Sequence, residues 1–252
     1  MGKKGAKRHL KRKPAPKFWP ISKKQFVWAI RPSPGPYSLK NCLPLGMIIR
    51  DILGFAETRR EAKKIISNEN VLVNGKMRRK DDFPVGLMDV VHIKEAEKTY
   101  RVLPSPKGYI LHPIPAEEAN FKLCRIENKT LIKNGHIQLN LHDGYNLLIK
   151  VAEPANPVED VYTTLDVLKI KLPEKEILEH IKLKEGVLAI ITSGKNMGKH
   201  GKIVEIEKRE GQKCRNWLAT IQDAAGNTFK TRLNYVFPIG ENQSLISLPE
   251  GD

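Results

Sequence analysis

Cysteine is scarce in this 252-residue chain, and the three present, Cys42, Cys124 and Cys214, are odd in number and far apart. That excludes a disulfide framework and a Cys-x-x-Cys zinc site, so no metal centre is expected and all three are read as buried free thiols. No apolar run approaches the length of a membrane span, and no membrane contact is expected. Pro14, Pro16 and Pro20 interrupt the basic N-terminus where the apolar stretch of a signal peptide has to lie, which points to a cytoplasmic protein. The most informative absence is of acid. The first fifty residues hold thirteen Lys and Arg and no Asp or Glu, so 13 of the net +16 charges fall there, leaving 31 basic against 28 acidic residues after Arg50.

Like charges crowded onto one compact surface repel, so this concentration marks a tail. The tail also lacks the apolar periodicity of a core-forming segment and is expected to be mobile alone, ordered by contact with a polyanion. Its candidate RNA-binding cations are Lys3, Lys4, Lys7, Arg8, Lys11, Arg12, Lys13 and Lys17, and its rings are Phe18, Trp19, Phe26, Trp28 and Tyr37. Cations for phosphates, interleaved with rings able to stack on unpaired bases, suit irregular or single-stranded RNA. Phe18 and Trp19 are the candidate stacking rings. A Pro-rich linker, RPSPGPYSLKN, follows, and structured protein is expected from near Cys42.

From Leu45 the pattern becomes helical, with Leu45, Ile48, Ile49, Ile52 and Leu53 on one face and Gly54 at the end. Thr58-Arg59-Arg60-Glu61 fits a capping box opening a second helix, with Ala62, Ile65 and Ile66 inward. Arg59 with Lys63, and Arg60 with Lys64, are four residues apart and form a basic face. Arginines in a first turn oppose the helix dipole, so a phosphate partner outside the helix is expected. Val71-Leu72-Val73-Asn74-Gly75-Lys76 reads as a strand entering an Asn-Gly hairpin, Arg78, Arg79 and Lys80 extend the positive surface, and Asp89 to Ile93 is a further strand. Two short helices, VLVNGK, a polar loop and DVVHI resemble the S-four RNA-binding domain. That resemblance implies RNA contact through Arg59, Arg60, Lys63, Lys64, Lys76, Arg78, Arg79 and Lys80.

After Tyr100 short β runs alternate with Gly, Pro, Asn and Asp, and only AEEANFKL suggests a helical turn. A compact β domain is expected, with no recognisable chemistry: His136, His142 and Asp143 are assigned no role. Further on, GVLAIITSGKNMGKHGKIVEIE places two strands, Val187 to Thr192 and Lys202 to Ile206, around a glycine-spaced basic loop. It is not a P-loop, because three residues separate Gly194 from Gly198 where four are needed and His200 follows the lysine in place of Ser or Thr. The stretch resembles the KOW motif of ribosomal proteins and transcription elongation factors, which implies an SH3-like barrel completed by strands from Trp217 to Phe237. Lys195 and Lys199 are its candidate phosphate contacts.

The order of these parts, through KRHLKR, APKFW, VNGKMRRKDDFPVGLMDVV, PAEEANFKLCRI, SGKNMGKHGKI and DAAGNTFKTRLNYVFPIG, resembles the S-four-E family of archaeal and eukaryotic small-subunit ribosomal proteins. The implied fold class is α+β, predominantly β and multidomain: a basic extension over 1–41, an S-four domain over 42–99, a central β domain over 100–176 and a KOW-bearing SH3-like domain over 177–252. The implied function is structural, binding small-subunit rRNA beside neighbouring ribosomal proteins, with no catalysed reaction, cofactor or small-molecule substrate. The chain stops at Asp252 whereas eukaryotic members continue with another basic segment, which points to an archaeal source. An RNA-modifying enzyme targeted by its S-four domain, or a KOW-containing transcription or assembly factor, are the alternatives.

Overall fold

The computed structural model describes residues 9–22, 24–153 and 158–249. Within the tail, β1 (Leu10–Lys11) pairs antiparallel with β2 (Trp28–Ala29). Leu10 and Trp19 are buried in the same core as the S-four helices, and Ile30 is buried as well. This corrects the expectation that the tail finds order only on a polyanion: apolar side chains spaced without period still dock one at a time onto a preformed surface.

The first module runs through β3 (Cys42–Pro44), α1 (Leu45–Met47) continuing as a π-helical turn over Ile48–Ile52, α2 (Arg59–Ser67), β4 (Val71–Val73), β5 (Lys76–Met77), β6 (Pro84–Gly86) and β7 (Val90–Ile93). Leu45, Ile48 and Ile49 are fully buried while Ile52 and Leu53 are half-buried, and Gly54 ends the turn at positive φ. The capping box forms: Glu61 N–H donates to Thr58 Oγ1 at 3.2 Å, and Thr58 N–H donates to the Glu61 carboxylate at 3.4 Å. Asn74 and Gly75 both have positive φ, 53° and 74°, as a two-residue turn of the mirror-image type requires.

Two more strands, β8 (Lys98–Ser105) and β9 (Gly108–Pro113), join this module in a sheet ordered β5-β4-β7-β8-β9, so its hydrogen bonding runs on to Pro113. A separate short ladder pairs β3 with β6. A 3-10 turn over Glu118–Asn120 leads into β10 (Phe121–Leu131). With β11 (Ile137–Leu141), β12 (Asn146–Ile149), β13 (Val167–Lys171) and β14 (Ile177–Ile181) it forms a sheet ordered β12-β11-β10-β13-β14. β10 is the hub, its first half pairing with β13 and its second with β11 across an irregularity near Glu127.

The last five strands, β15 (Leu188–Ile191), β16 (His200–Glu207), β17 (Leu218–Gln222), β18 (Thr228–Arg232) and β19 (Val236–Gly240), are ordered β18-β17-β16-β15-β19, all antiparallel. Their core of Ile190, Ile203, Ile221 and Phe237 also contains Leu103 from β8 and Leu123, Val167 and Ile181 from the central sheet. The modules therefore share apolar surface, and the fold is predominantly β, α+β and multidomain. Cys42 and Cys124 are buried free thiols; Cys214, in a short surface turn, is only half-buried, unlike the full burial expected.

Candidate nucleic-acid interface

Lys3, Lys4, Lys7 and Arg8 lie outside the described residues. Lys11, Lys13 and Lys17 are exposed. Arg12 has local work: its guanidinium donates to the carbonyls of Ile21 and Ser22, both at 3.1 Å, and holds the tail loop closed. The two candidate stacking rings sit elsewhere than expected. Trp19 is 5% exposed and its indole N–H donates to the Cys42 carbonyl at 2.8 Å, so it anchors the tail. Phe18 meets Tyr109 edge-on, centroids 5.2 Å apart. The most open ring among the described tail residues is Trp28, 56% exposed against 39% for Phe26, with the Lys11 ammonium 5.6 Å from its centroid and His9 tilted beside it. A cation beside an exposed ring offers phosphate attraction and a stacking face together.

On the S-four module, α2 buries Ala62 and Ile66 and presents Arg60, Lys63 and Lys64 to solvent. Arg59 differs from expectation, because its Nε donates to Asp81 Oδ2 at 2.7 Å. The arginine in the first turn is thus stabilised by a carboxylate of the same chain. Along the hairpin, Lys76 and Lys80 are exposed, Arg79 pairs with Glu69, and the half-buried Arg78 lies over the Phe83 ring at 4.2 Å. The cations of this region therefore divide: Arg60, Lys63, Lys64, Lys76 and Lys80 are free of ion pairs among the described residues, whereas Arg59 and Arg79 must exchange a carboxylate for a phosphate.

The KOW loop joins β15 to β16. Lys195 and Lys199 are exposed, and the Lys199 ammonium sits 3.8 Å from the Phe229 centroid. Gly194 and Gly198 take positive φ. A side chain at Gly198 would stand 2.9 Å from Ser105 Cα, so this loop packs directly on the β8–β9 turn. The basic loop is held against the S-four module.

A buried polar cluster around Lys122 ties the end of the tail and the S-four module to the central sheet. The Lys122 ammonium donates to Asp89 at 2.7 Å, Asp143 at 2.8 Å and the Tyr37 hydroxyl at 3.0 Å, using all three protons. Asp89 also accepts from the Tyr37 hydroxyl, from Asn74 in the hairpin turn and from the Gly86 N–H. Burial pulls the Lys122 pKa down, but Asp89 and the neighbouring acids outweigh it and hold it well above the ordinary value. Burial raises Asp143, and Lys122 more than reverses that, leaving its carboxyl below the usual range. Beside it, Arg125 N–H donates to His142 Nδ1 at 3.1 Å, which leaves the Nε2 proton for the Leu87 carbonyl at 3.2 Å. Burial, and then Lys122, push the His142 pKa down to about 4.

This cluster was missed in the sequence. Its one signal is a lysine between apolar neighbours in Phe121-Lys122-Leu123-Cys124, at the position of a strand that points inward. It offers no substrate-sized opening and no nucleophile: the Cys124 thiol is pushed up by burial first and then by Asp143, despite Lys122.

Four family models match the chain: the RS4NT domain over residues 4–40, the S4 domain over 48–91, Ribosomal family S4e over 96–177 and the 40S ribosomal protein S4 C-terminus over 223–252. The small ribosomal subunit protein eS4 of Staphylothermus marinus is 54% identical over 100% of this chain and 99% of its own length. That of Methanocaldococcus jannaschii is 49% identical over 98% of this chain and 100% of its own length. A crystal structure of the 30S ribosomal protein S4e from Thermoplasma acidophilum is similar at 32% identity and a TM-score of 0.65, covering 80% of this chain and 96% of that one. With the extension, the S4 module and the C-terminal part each matched in order along the whole length, the chain belongs to the S4e family of ribosomal proteins, in its archaeal form.

Proposed function

We propose that this chain is a structural constituent of the small ribosomal subunit that binds and stabilises small-subunit rRNA and so supports translation, in the ribosome of the cytoplasm. The observation that carries the reading is the set of exposed cations on three separate modules, in the tail, on α2 with its hairpin, and on the KOW loop, held in fixed relation by shared cores and the Lys122 cluster. A single short RNA substrate has no need of three such faces, whereas a folded rRNA brings several backbones to one protein. Lys11, Lys13, Lys17, Arg60, Lys63, Lys64, Lys76, Lys80, Lys195 and Lys199 are the contacts offered to phosphate, joined by Lys3, Lys4, Lys7 and Arg8, and Arg59 and Arg79 contribute where RNA displaces their carboxylates. Neighbouring small-subunit proteins are its other partners.

The chain works without a reaction of its own, in keeping with relatives that match it end to end and are named as ribosomal proteins. Cosedimentation tests this against an enzyme or a free factor. The protein should travel with small subunits in one-to-one amount at low and moderate salt; a mostly free pool, with subunits lacking it in normal yield, argues for a transient role.

A further inference from the structure

An opening lies between the exposed basic faces. It is a cavity of about 430 Å³ where tail, S4 module, central sheet and KOW loop meet. Phe18, Lys40 and Asn41 line its tail side, Tyr109 its S4 side, and Thr192, Ser193 and Tyr235 its KOW side. On its floor the Glu127 carboxylate is bracketed by Arg125, whose Nε donates to it at 2.9 Å, and by Arg215, 3.3 Å away. Two guanidinium groups against one carboxylate, with the exposed Lys40 at the edge, leave the opening positive. Its volume falls within the ~300–1,000 Å³ of small-molecule sites, and it combines rings with convergent amide, hydroxyl and carbonyl groups, as such sites do.

We propose that this cleft receives a single unstacked nucleotide of the bound RNA, its base against the Tyr109 and Tyr235 rings and its phosphate near Lys40 and Arg215. The inference rests on the RNA-binding reading above and deepens it. Three features of the cleft favour a nucleotide over an apolar side chain from a neighbouring protein. The opening is positive; the polar groups of Asn41, Ser193 and Asn234 suit base edges; and both lips continue into candidate RNA contacts, Lys17 beside Phe18 and Lys195 beside Ser193.

The test uses the full chain, small-subunit rRNA transcribed from a related archaeon, and two variants at exposed or cleft-edge positions. Ser193→Trp fills the cleft, and Lys40→Ala removes the phosphate partner while leaving the cavity open, so a folding defect in one does not remove the other. Affinity is read by filter binding, and contact by ultraviolet crosslinking with mapping of peptides and nucleotides. The expected result is a discrete crosslink from the Tyr109 or Tyr235 peptide to one nucleotide. Ser193→Trp should abolish it and weaken affinity by about tenfold, and Lys40→Ala should reduce it, while crosslinks from the tail and α2 persist. Free nucleoside monophosphates at millimolar concentration should not compete. If the tail and α2 crosslink but the cleft peptides do not, and Ser193→Trp binds as the parent does, the cleft proposal is overturned and the RNA-binding reading stands. If the free monophosphates bind and block, the cleft serves a soluble nucleotide and the RNA version is wrong. If the parent fails to bind the rRNA at all, both readings fall.

Discussion

Lys122 joins three stretches of chain that are far apart in sequence: Tyr37 at the end of the tail, Asp89 in the S4 module and Asp143 in the central sheet. Removing one partner from a buried charge cluster leaves the others uncompensated, so Lys122→Ala should cost about 3–5 kcal/mol in urea unfolding; a cost below about 1 kcal/mol means the cluster is not holding the modules. The same neighbourhood sets an acid-sensitive limb. Folded His142 has a pKa of about 4, and an unfolded histidine titrates near 6.5. Between these values the unfolded chain binds a proton that the folded chain does not, so the contribution of neutral His142 is present above about pH 6.5 and drains as pH falls towards 4. Asp143 acts lower still, its contribution present above about pH 4 and lost on further acidification as the folded carboxyl protonates. Gln can accept from the Arg125 N–H and donate to the Leu87 carbonyl. His142→Gln should therefore flatten the loss of stability between pH 7 and 5, and a slope equal to the parent's would remove the imidazole from that account.

At the level of elements, the tail is held by few side chains, and Trp19 is the largest of them. Trp19→Ala removes a buried ring and its bond to Cys42, a loss on the order of 3–5 kcal/mol. Trypsin should then cut after Lys17 and Lys24 at concentrations that leave the parent intact; equal resistance means the docking seen here is weak in solution. The α2 cap is a smaller device, and Thr58→Ala should lower stability by about 1 kcal/mol through loss of the acceptor for the Glu61 N–H. Helix caps, the Asn74-Gly75 turn and the glycine-spaced loop between β15 and β16 were legible in the sequence because each depends on a few adjacent residues. The docking of Trp19 and the Arg59 to Asp81 pair were not, because each depends on a partner distant in the chain.

For the molecule as a whole, the charge imbalance and the order of modules could be read before any coordinate, since both are properties of composition and succession. Their fixed relation could not. It comes from Leu103, Leu123 and Phe237 sharing one core, from Gly198 packing on Ser105, and from the buried lysine, none of which leaves more than a faint local trace. That relation also changes how the tail must be tested. Deleting residues 1–40 would strip Leu10, Trp19 and Ile30 from the core, so the charges have to be removed with the apolar anchors kept. The most direct test of the central claim is the salt dependence of binding to small-subunit rRNA by the full chain and by a variant with Lys11, Lys13, Lys17, Arg60, Lys63 and Lys64 changed to Gln. Each phosphate contact contributes about 0.7 to 0.9 to the slope of log affinity against log salt, so the account predicts a slope shallower by about 4 to 5 in the variant, with unfolding unchanged. An identical slope and affinity would mean that RNA is held elsewhere and that these faces are only solvated surface.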